Sequence, residues 1–438
     1  VCTVTVVKTS GDSKVTAAPP QITNSVPPVT EPTSPPQKPF TLAEGFGYVS
    51  IYIDDTGDDY EGLSLVADSF AGDIEQVLTS ECRPDVVTDP GDIMGTAIYA
   101  GSIGNNQVID SLIAAGKLDV SAIQGKRETY KIQIVDQPSP GIERGLVVVG
   151  SDKRGTIYGL YHISELIGVS PWIFWADAVP DKKDSIVLQA SELNVTSKEP
   201  SVKYRGIFLN DEAPSLTGWV NAKFKGYNEE FYKHVYELIL RCKGNYLWPA
   251  MWSNNFSEDG KSRKIANAEL ADKYGIVMGT SHHEPLCRAG VEWQRIYKKY
   301  GNSNKWNFNT NEEAITKFWQ DGVKRNMAFE NVYTLGMRGE ADSALSGTDE
   351  ENIELLKKVI TVQKNILEEN DLSEAPQVLT VYKEVEKFWH GTEKAEGLKK
   401  WDVLDDVTIM LCDDNFGNMR TLPDQETINR PGGWGMYY

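Results

Sequence analysis

From about Phe40 onward, apolar positions along the chain switch repeatedly between a period of two and a period near 3.6 residues. GYVSIYIDD (47–55), TAIYAGS (96–102), YKIQIV (130–135) and GLVVVGSD (145–152) read as strands. EGLSLVADSFAGDIEQVL (61–78) and TIYGLYHISELIG (156–168) place their apolar side chains on one helical face. This alternation predicts a small N-terminal α/β domain over residues 40–200. No GxGxxG or GxxxxGKS/T follows any of its strands, so it carries no phosphate-binding fingerprint.

The pattern changes scale over residues 201–438. Short β-like runs recur with helical stretches between them: YRGIFLN (204–210), GNYLW (244–248), YGIVMGT (274–280), NVYTLGM (331–337), QVLTVY (377–382), VTIMLC (407–412) and GWGMYY (433–438). EEFYKHVYELILRC (229–242) and ENIELLKKVITVQKNILEE (351–369) are the clearest helices between them. Buried parallel strands alternating with helices predict a (β/α)8 TIM-type barrel. Seven strands are predicted and a barrel needs eight, so the expectation is an incomplete barrel, cut at its C-terminus. The alternative is an open seven-stranded sheet.

The first residues, VCTVTVV (1–7), alternate like a strand and are expected to end an upstream β domain. Residues 8–39 hold eight prolines among many Ser and Thr, which removes backbone donors and leaves little to bury. They are expected to form an extended linker, of the kind common between the modules of secreted polysaccharide-degrading proteins. With no Met and no charged segment ahead of an apolar one, the start does not read as an intact precursor.

Composition narrows the partners. The 438 residues carry a net charge of −19, a field that repels phosphate backbones and anionic membranes, so neither nucleic acid nor membrane is expected as a partner. No apolar run reaches the length of a membrane-spanning helix. The five cysteines are widely spaced without a CxxC, which points to buried thiols rather than a zinc site or a disulfide framework.

Chemistry concentrates where barrel enzymes keep it, at the C-terminal ends of the strands. The runs deliver in turn Asn210, Asp211 and Glu212; Trp248, Met251 and Trp252; His282, His283 and Glu284; Arg338, Glu340 and Asp342; Tyr382, Lys383 and Glu384; Asp413, Asp414 and Asn415; and Tyr437 and Tyr438. A single carboxylate after a strand is commonly a helix cap, but acids at five strand ends with Trp, Tyr and His between them exceed what capping explains. Paired carboxyls in an aromatic mouth fit glycoside hydrolysis, one protonating the leaving oxygen and the other activating water or attacking the anomeric carbon. Arg338 among these acids either pairs with a neighbouring Glu or forks onto a substrate carboxylate, the second pointing to a uronic acid.

His282 and His283 offer no HxH or HExxH spacing, and neighbours on a strand face opposite ways, so no metal is expected. No GxSxG elbow supports a nucleophilic triad. His162, His234 and His390 fall on predicted helices and read as structural. Of the eleven tryptophans, Trp172, Trp175, Trp293, Trp319, Trp389 and Trp401 read as core.

YRGIFLNDE (204–212), KGNYLWPAMW (243–252), GTSHHEPL (279–286), GMRGEAD (336–342), VYKEVEKFW (381–389), DDNFGNMR (413–420) and GGWGMYY (432–438) together resemble glycoside hydrolase family 115, the xylan α-1,2-glucuronidases. GSDKRGTIYGLYHISELIGVSPWIFWADAVP (150–180) also resembles the α/β domain that precedes the barrel there. The resemblance implies inverting release of glucuronic acid or its 4-O-methyl ether from glucuronoxylan, without a cofactor. It implies Glu384 as general acid and Asp211 or Asp414 as the base, with Asp413 and Glu340 also open. Arg338 would hold the uronate carboxylate, and Trp252, His283, Tyr382, Asn415 and Tyr437 would line the pocket. Family members continue into a further His- and Tyr-bearing loop, the rest of the barrel and C-terminal domains that assist dimerisation, so the full-length parent is expected to be a homodimer and this portion alone to be poorly folded or inactive. Two other readings stay open: a carbohydrate-binding fragment without catalysis, and an exo-glycosidase for another sugar. A xylan substrate implies a secreted protein.

Overall fold

The computed structural model describes residues 38–438 other than 81, 341, 342 and 384, together with the backbone of residues 2–7. That first segment is strand β1 (Cys2–Val7). A two-stranded antiparallel ribbon follows, β2 (Phe40–Glu44) against β8 (Ser185–Leu188), with five strands of a six-stranded sheet between them in the chain and the sixth just after β8. The sheet holds β3 (Val49–Tyr52), β4 (Asp85–Val87), β5 (Thr96–Ser102), β6 (Tyr130–Asp136), β7 (Arg144–Gly150) and β9 (Val195–Thr196) in the order β4-β3-β5-β7-β6-β9. The four strands from β4 to β7 in that order are parallel, while β6 and β9 are antiparallel additions.

Helices α1 (Tyr60–Val77), α2 (Gln107–Ala114) and α3 (Lys153–Ile167) flank this sheet. The start of α3 is fixed by Asp152, whose carboxylate accepts from the Gly155 amide, and its end by Gly168 at φ 103°, where a side chain would be strained.

Seven parallel strands build the second part: β10 (Tyr204–Phe208), β11 (Tyr246–Trp248), β12 (Val277–Met278), β13 (Tyr333–Leu335), β14 (Gln377–Val381), β15 (Thr408–Cys412) and β16 (Trp434–Tyr437). β10 pairs with β11 and β11 with β12; β13 through β16 pair in succession. Between β12 and β13 the contact is a single parallel bridge, Met278 to Asn331. Between β16 and β10, where a (β/α)8 barrel has its eighth parallel strand, the antiparallel β1 pairs with both. The barrel is therefore incomplete in parallel strands, as the seven apolar runs imply.

The helices of this part are α4 (Ser215–Phe224), α5 (Glu229–Arg241), α6 (Ala266–Tyr274), α7 (Gly290–Ile296), α8 (Phe308–Asn326), α9 (Asp349–Glu368) and α10 (Glu386–His390). The polarity of α5 follows its sequence: Asn228 caps it, Glu229 and Glu230 occupy the first turn, and Arg241 the last. None of the described helices is long and apolar enough to cross a membrane.

The two sheets are locked by buried charge as well as by a shared apolar core. Arg241 of α5 forks onto Asp73 of α1 with two 2.8 Å bonds, both side chains almost wholly buried, its guanidinium 4.4 Å from the Tyr161 ring. The Glu128 carboxylate pairs with Arg154 at 2.8 Å and with Arg205 of β10 at 2.7 Å. The core cluster of α1 and α3 continues without a break into α5 and α6.

Two side-chain expectations are corrected here. Cys287 and Cys412 are buried, but Cys82 is half-buried and Cys242 exposed, because each lies at the solvent edge of its segment. Trp293, Trp319 and Trp389 are core, whereas Trp172 is half exposed on the loop after α3. Among the histidines, His162 bonds the Tyr130 hydroxyl at 3.0 Å and His234 stacks on Phe174 at 3.6 Å, both packing roles.

Candidate active site

At the carboxyl end of β10 the chain delivers Asp211, only 5% exposed. Its Oδ1 accepts from the amides of Met251 and Trp252, both at 2.9 Å, and its Oδ2 from the Ser253 amide at 3.1 Å and Asn254 Nδ2 at 2.6 Å. Asp211 thus fastens the loop after β11 and sets the backbone from which the Trp252 indole projects. Its lone pairs are committed to four donors, the geometry of a positioning carboxylate.

Beyond β12 the chain turns tightly. The Glu284 amide donates to the Ser281 carbonyl at 2.9 Å and the Thr280 hydroxyl to the Glu284 carbonyl at 2.7 Å. This turn corrects the reading of 282 and 283 as strand neighbours on opposite faces: β12 stops at Met278, and the two rings lie 4.4 Å apart. His283 faces the Trp252 ring edge-on at 5.1 Å, and His282 packs on Tyr382 at 5.1 Å. Burial holds the His282 ring well below the ordinary imidazole range, with His283, Arg338 and Lys383 adding positive charge nearby. His282 is therefore a neutral ring.

Arg338, beyond β13, is 4% exposed. Its Nη1 donates to His283 Nε2 at 2.5 Å, and its guanidinium lies 5.6 Å from the Tyr382 ring. Tyr437 of β16 stacks on Trp248 at 5.8 Å and meets Tyr382 edge-on at 6.5 Å. The structure thus brings Asp211, Trp252, His283, Arg338, Tyr382 and Tyr437 to one mouth. Glu384, the expected general acid, and Asp342 lie outside the described residues.

The carboxylates after β15 have a different setting. Asp414 accepts from the Phe416 and Asn418 amides and from Asn418 Nδ2, which hold its carboxyl below the usual carboxylate value. Asp413 is buried and accepts from the Gly417 amide at 3.1 Å. Asn415 is exposed at φ 69°, a left-handed conformation that asparagine tolerates. Glu340 is exposed and accepts from Gln294 Nε2 at 2.6 Å.

A cavity of about 210 Å³ opens beside His283. Met251, Trp252, Trp293 and Trp306 supply its apolar wall, Gly290, Val291 and Gly339 its open sides, and Glu284, Gln294 and Glu340 its polar groups. The wall is held from behind. Leu286 and Cys287 take φ of 51° and 60°, two consecutive left-handed residues without glycine's freedom. Arg288 and Arg325 secure that turn, each 2.7 Å from the buried Glu292 carboxylate, and Arg325 also reaches the Cys287 carbonyl at 2.9 Å. Trp306 was not singled out by its sequence, although an aromatic inside NSNKWNFN (302–309) is an exposed-loop signal.

The α/β barrel mouth thus gathers an aromatic shelf, a buried arginine and fixed carboxylates. The model of glycosyl hydrolase family 115 matches residues 197–438, and the chain belongs to that family. A solved family GH115 4-O-methyl-α-glucuronidase, BtGH115A, with specificity for decorated arabinogalactans, is 33% identical over 91% of this chain at a TM-score of 0.74. The chain spans 49% of that protein's length. An N-acetyl-β-hexosaminidase from Streptomyces plicatus in complex with Thio-NAglucal is 11% identical over 86% of this chain and 72% of its own, at a TM-score of 0.47. CpGH84D is 8% identical over 86% of this chain and 49% of its own, at 0.33. Both likenesses are too slight to bear on function. No curated protein matches the chain.

Proposed function

We propose that this chain is the catalytic portion of a secreted α-glucuronidase that releases glucuronic acid or its 4-O-methyl ether from a decorated plant polysaccharide. The observation that carries the reading is Arg338, buried at the mouth and bonded to His283 over the face of Tyr382. The planar fork of a guanidinium matches a carboxylate, and Trp252 offers a surface for a sugar ring. Family membership supports hydrolysis of a glycosidic bond.

In this reading Glu384 protonates the leaving oxygen, and Asp211, Asp414, Asp413 or Glu340 is the base that activates water, with inversion at the anomeric carbon. The four donors on Asp211 favour a positioning role for it, leaving the base among the carboxylates after β13 and β15. α-1,2-linked glucuronoxylan is the first substrate to test. Decorated arabinogalactan is the second, favoured by the specificity of the 33% identical BtGH115A.

The experiment is proton NMR of the chain incubated with glucuronoxylan and, separately, with glucuronidated arabinogalactan, followed from the first minutes. Release of the β-anomer of the uronic acid first supports the inverting α-glucuronidase and identifies the polymer. Release of a neutral sugar alone, or none from a folded chain that also fails to bind glucuronate, overturns the reading.

A further inference from the structure

The six-stranded sheet of the α/β layer reverses its direction of winding at one point. Alternation along its strands turns Ile51, Ile98 and Val148 towards α1 and α3, and Tyr52, Tyr99 and Val147 towards α2. The chain leaving β3 therefore enters α1 on one face, while the chain leaving its neighbour β5 enters α2 on the other. Such a divergence between adjacent parallel strands opens a crevice beyond their carboxyl ends, where open α/β sheets take their ligands. Here it holds a cavity of about 700 Å³. Tyr52 of β3 and Ser111 of α2 line it, with Asp55 and Thr56 from the loop after β3 and Thr88 from the loop after β4. All of its lining falls within residues 52–140, so it shares no residue with the barrel mouth.

The α2 N-terminus, which at such a crevice would draw a phosphate or other anion, is filled by the chain itself. Asp54, 5% exposed, accepts from the Gln107 amide at 2.7 Å through Oδ2. Its Oδ1 accepts from the Thr56 amide at 3.0 Å and the Thr56 hydroxyl at 2.6 Å. Asp55 and Asp89 are exposed on the same crevice, and among the described residues no lysine or arginine lines it. Anions are thereby repelled. What the crevice offers instead is the hydroxyls of Thr56, Thr88 and Ser111 beside the apolar surfaces of Val108, Pro90 and Pro138. That mixture suits an uncharged molecule with many hydroxyls and apolar C–H faces.

From the reversal of winding, the size of the crevice and its self-filled helix terminus, we propose that the α/β layer binds a short uncharged oligosaccharide there, a second carbohydrate site apart from the barrel mouth. The inference goes beyond the proposed function. It rests on membership of a glycosyl hydrolase family and not on the recognition of a uronate. The volume lies within the roughly 300–1,000 Å³ of small-molecule sites. A sugar carrying a carboxylate has the wrong charge for this crevice, so the layer takes an undecorated stretch of polysaccharide.

The test is an NMR titration of the full chain with neutral xylohexaose, a neutral galactan hexaose, glucuronate and spermidine, read at the amides of Thr56, Gln107 and Ser111. Ser111→Phe narrows the crevice from an exposed position of α2. At least one neutral hexaose is expected to shift all three amides, and Ser111→Phe to weaken that binding about tenfold or more at Thr56 and Gln107. Glucuronate should leave these amides in place. If neither hexaose shifts them in the unmodified chain, the site does not exist, whatever the variant does. Unchanged binding in a folded Ser111→Phe also overturns it. Shifts with spermidine alone would make the crevice a cation site, and shifts as large with glucuronate would remove its selectivity for uncharged sugars; either result overturns the assignment. The glucuronidase reading fails separately, if glucuronate shifts no amide of the loop 251–254 or if Arg338→Ala leaves its binding unchanged.

Discussion

Arg338 donates to His283 Nε2 at 2.5 Å, so the imidazole must accept at that nitrogen, which places its own proton on Nδ1. The contact ties the guanidinium to the imidazole ring beside Trp252. Replacing Arg338 by Lys keeps the charge but not the fork. Arg338→Lys is expected to cost about 2–5 kcal/mol in kcat/KM on uronosyl substrates and to leave a neutral aryl glycoside unaffected. Equal losses on both, measured side by side, would exclude a carboxylate-reading role.

Asp211 presents a choice between positioning and proton transfer that one conservative variant resolves. Asp211→Asn replaces an acceptor by an amide whose NH2 cannot accept from the loop donors of residues 251–254. The loss of charge-assisted bonds is expected to lower unfolding free energy by about 1.5–3 kcal/mol and to raise KM as Trp252 loses its support. A large fall in kcat with urea midpoint and KM unchanged would instead identify Asp211 as the base.

The parts of the fold legible in the sequence are those whose local signal and long-range packing agree. The barrel strands announce themselves because each is buried on both faces, giving short apolar runs such as QVLTV at β14. The β2–β8 ribbon escaped because FTLAE pairs with residues more than 140 positions away and carries a bulge at Thr41–Ala43. Helix α8 escaped because its first turn is polar and interrupted at Asn311, φ −140°. Within the site, Arg338 and Trp252 were legible as residue types at strand ends. The setting of Glu284 was not, since it depends on where β12 stops and on the left-handed turn at Leu286 and Cys287.

Arg241 and Asp73 predict how the α/β layer is tied to the barrel. Arg241→Met leaves a buried carboxylate without its partner and removes the guanidinium from over Tyr161, at an expected cost of about 3–5 kcal/mol in urea unfolding. The double variant with Asp73→Leu should recover only part of that loss, because the buried Asp73 charge is gone but Glu237, which pairs with Arg241 at 2.8 Å, still loses its partner. A single-variant cost below about 1 kcal/mol would mean that the apolar core alone joins the two layers.

Glu284 also leaves a signature in the pH dependence of stability. Its carboxyl is held well above the ordinary 4.5 by burial, so the folded chain keeps a proton that the unfolded chain releases. Below the unfolded value both states are protonated and the stabilisation is complete. As pH rises above 4.5 and through the folded value, the unfolded state binds fewer protons and stability falls, by up to about 1.4 kcal/mol per unit for one group. His282, neutral in the fold, acts the other way, with stability lost as pH falls below 6.5, but it is common to the unmodified chain and to Glu284→Gln and cancels in their difference. The stability of Glu284→Gln relative to the unmodified chain should therefore climb in urea unfolding as pH rises above 4.5. Parallel curves across that range would show that Glu284 ionises in the fold as it does in the unfolded chain, and that the chamber beside His283 is wet and charged rather than neutral.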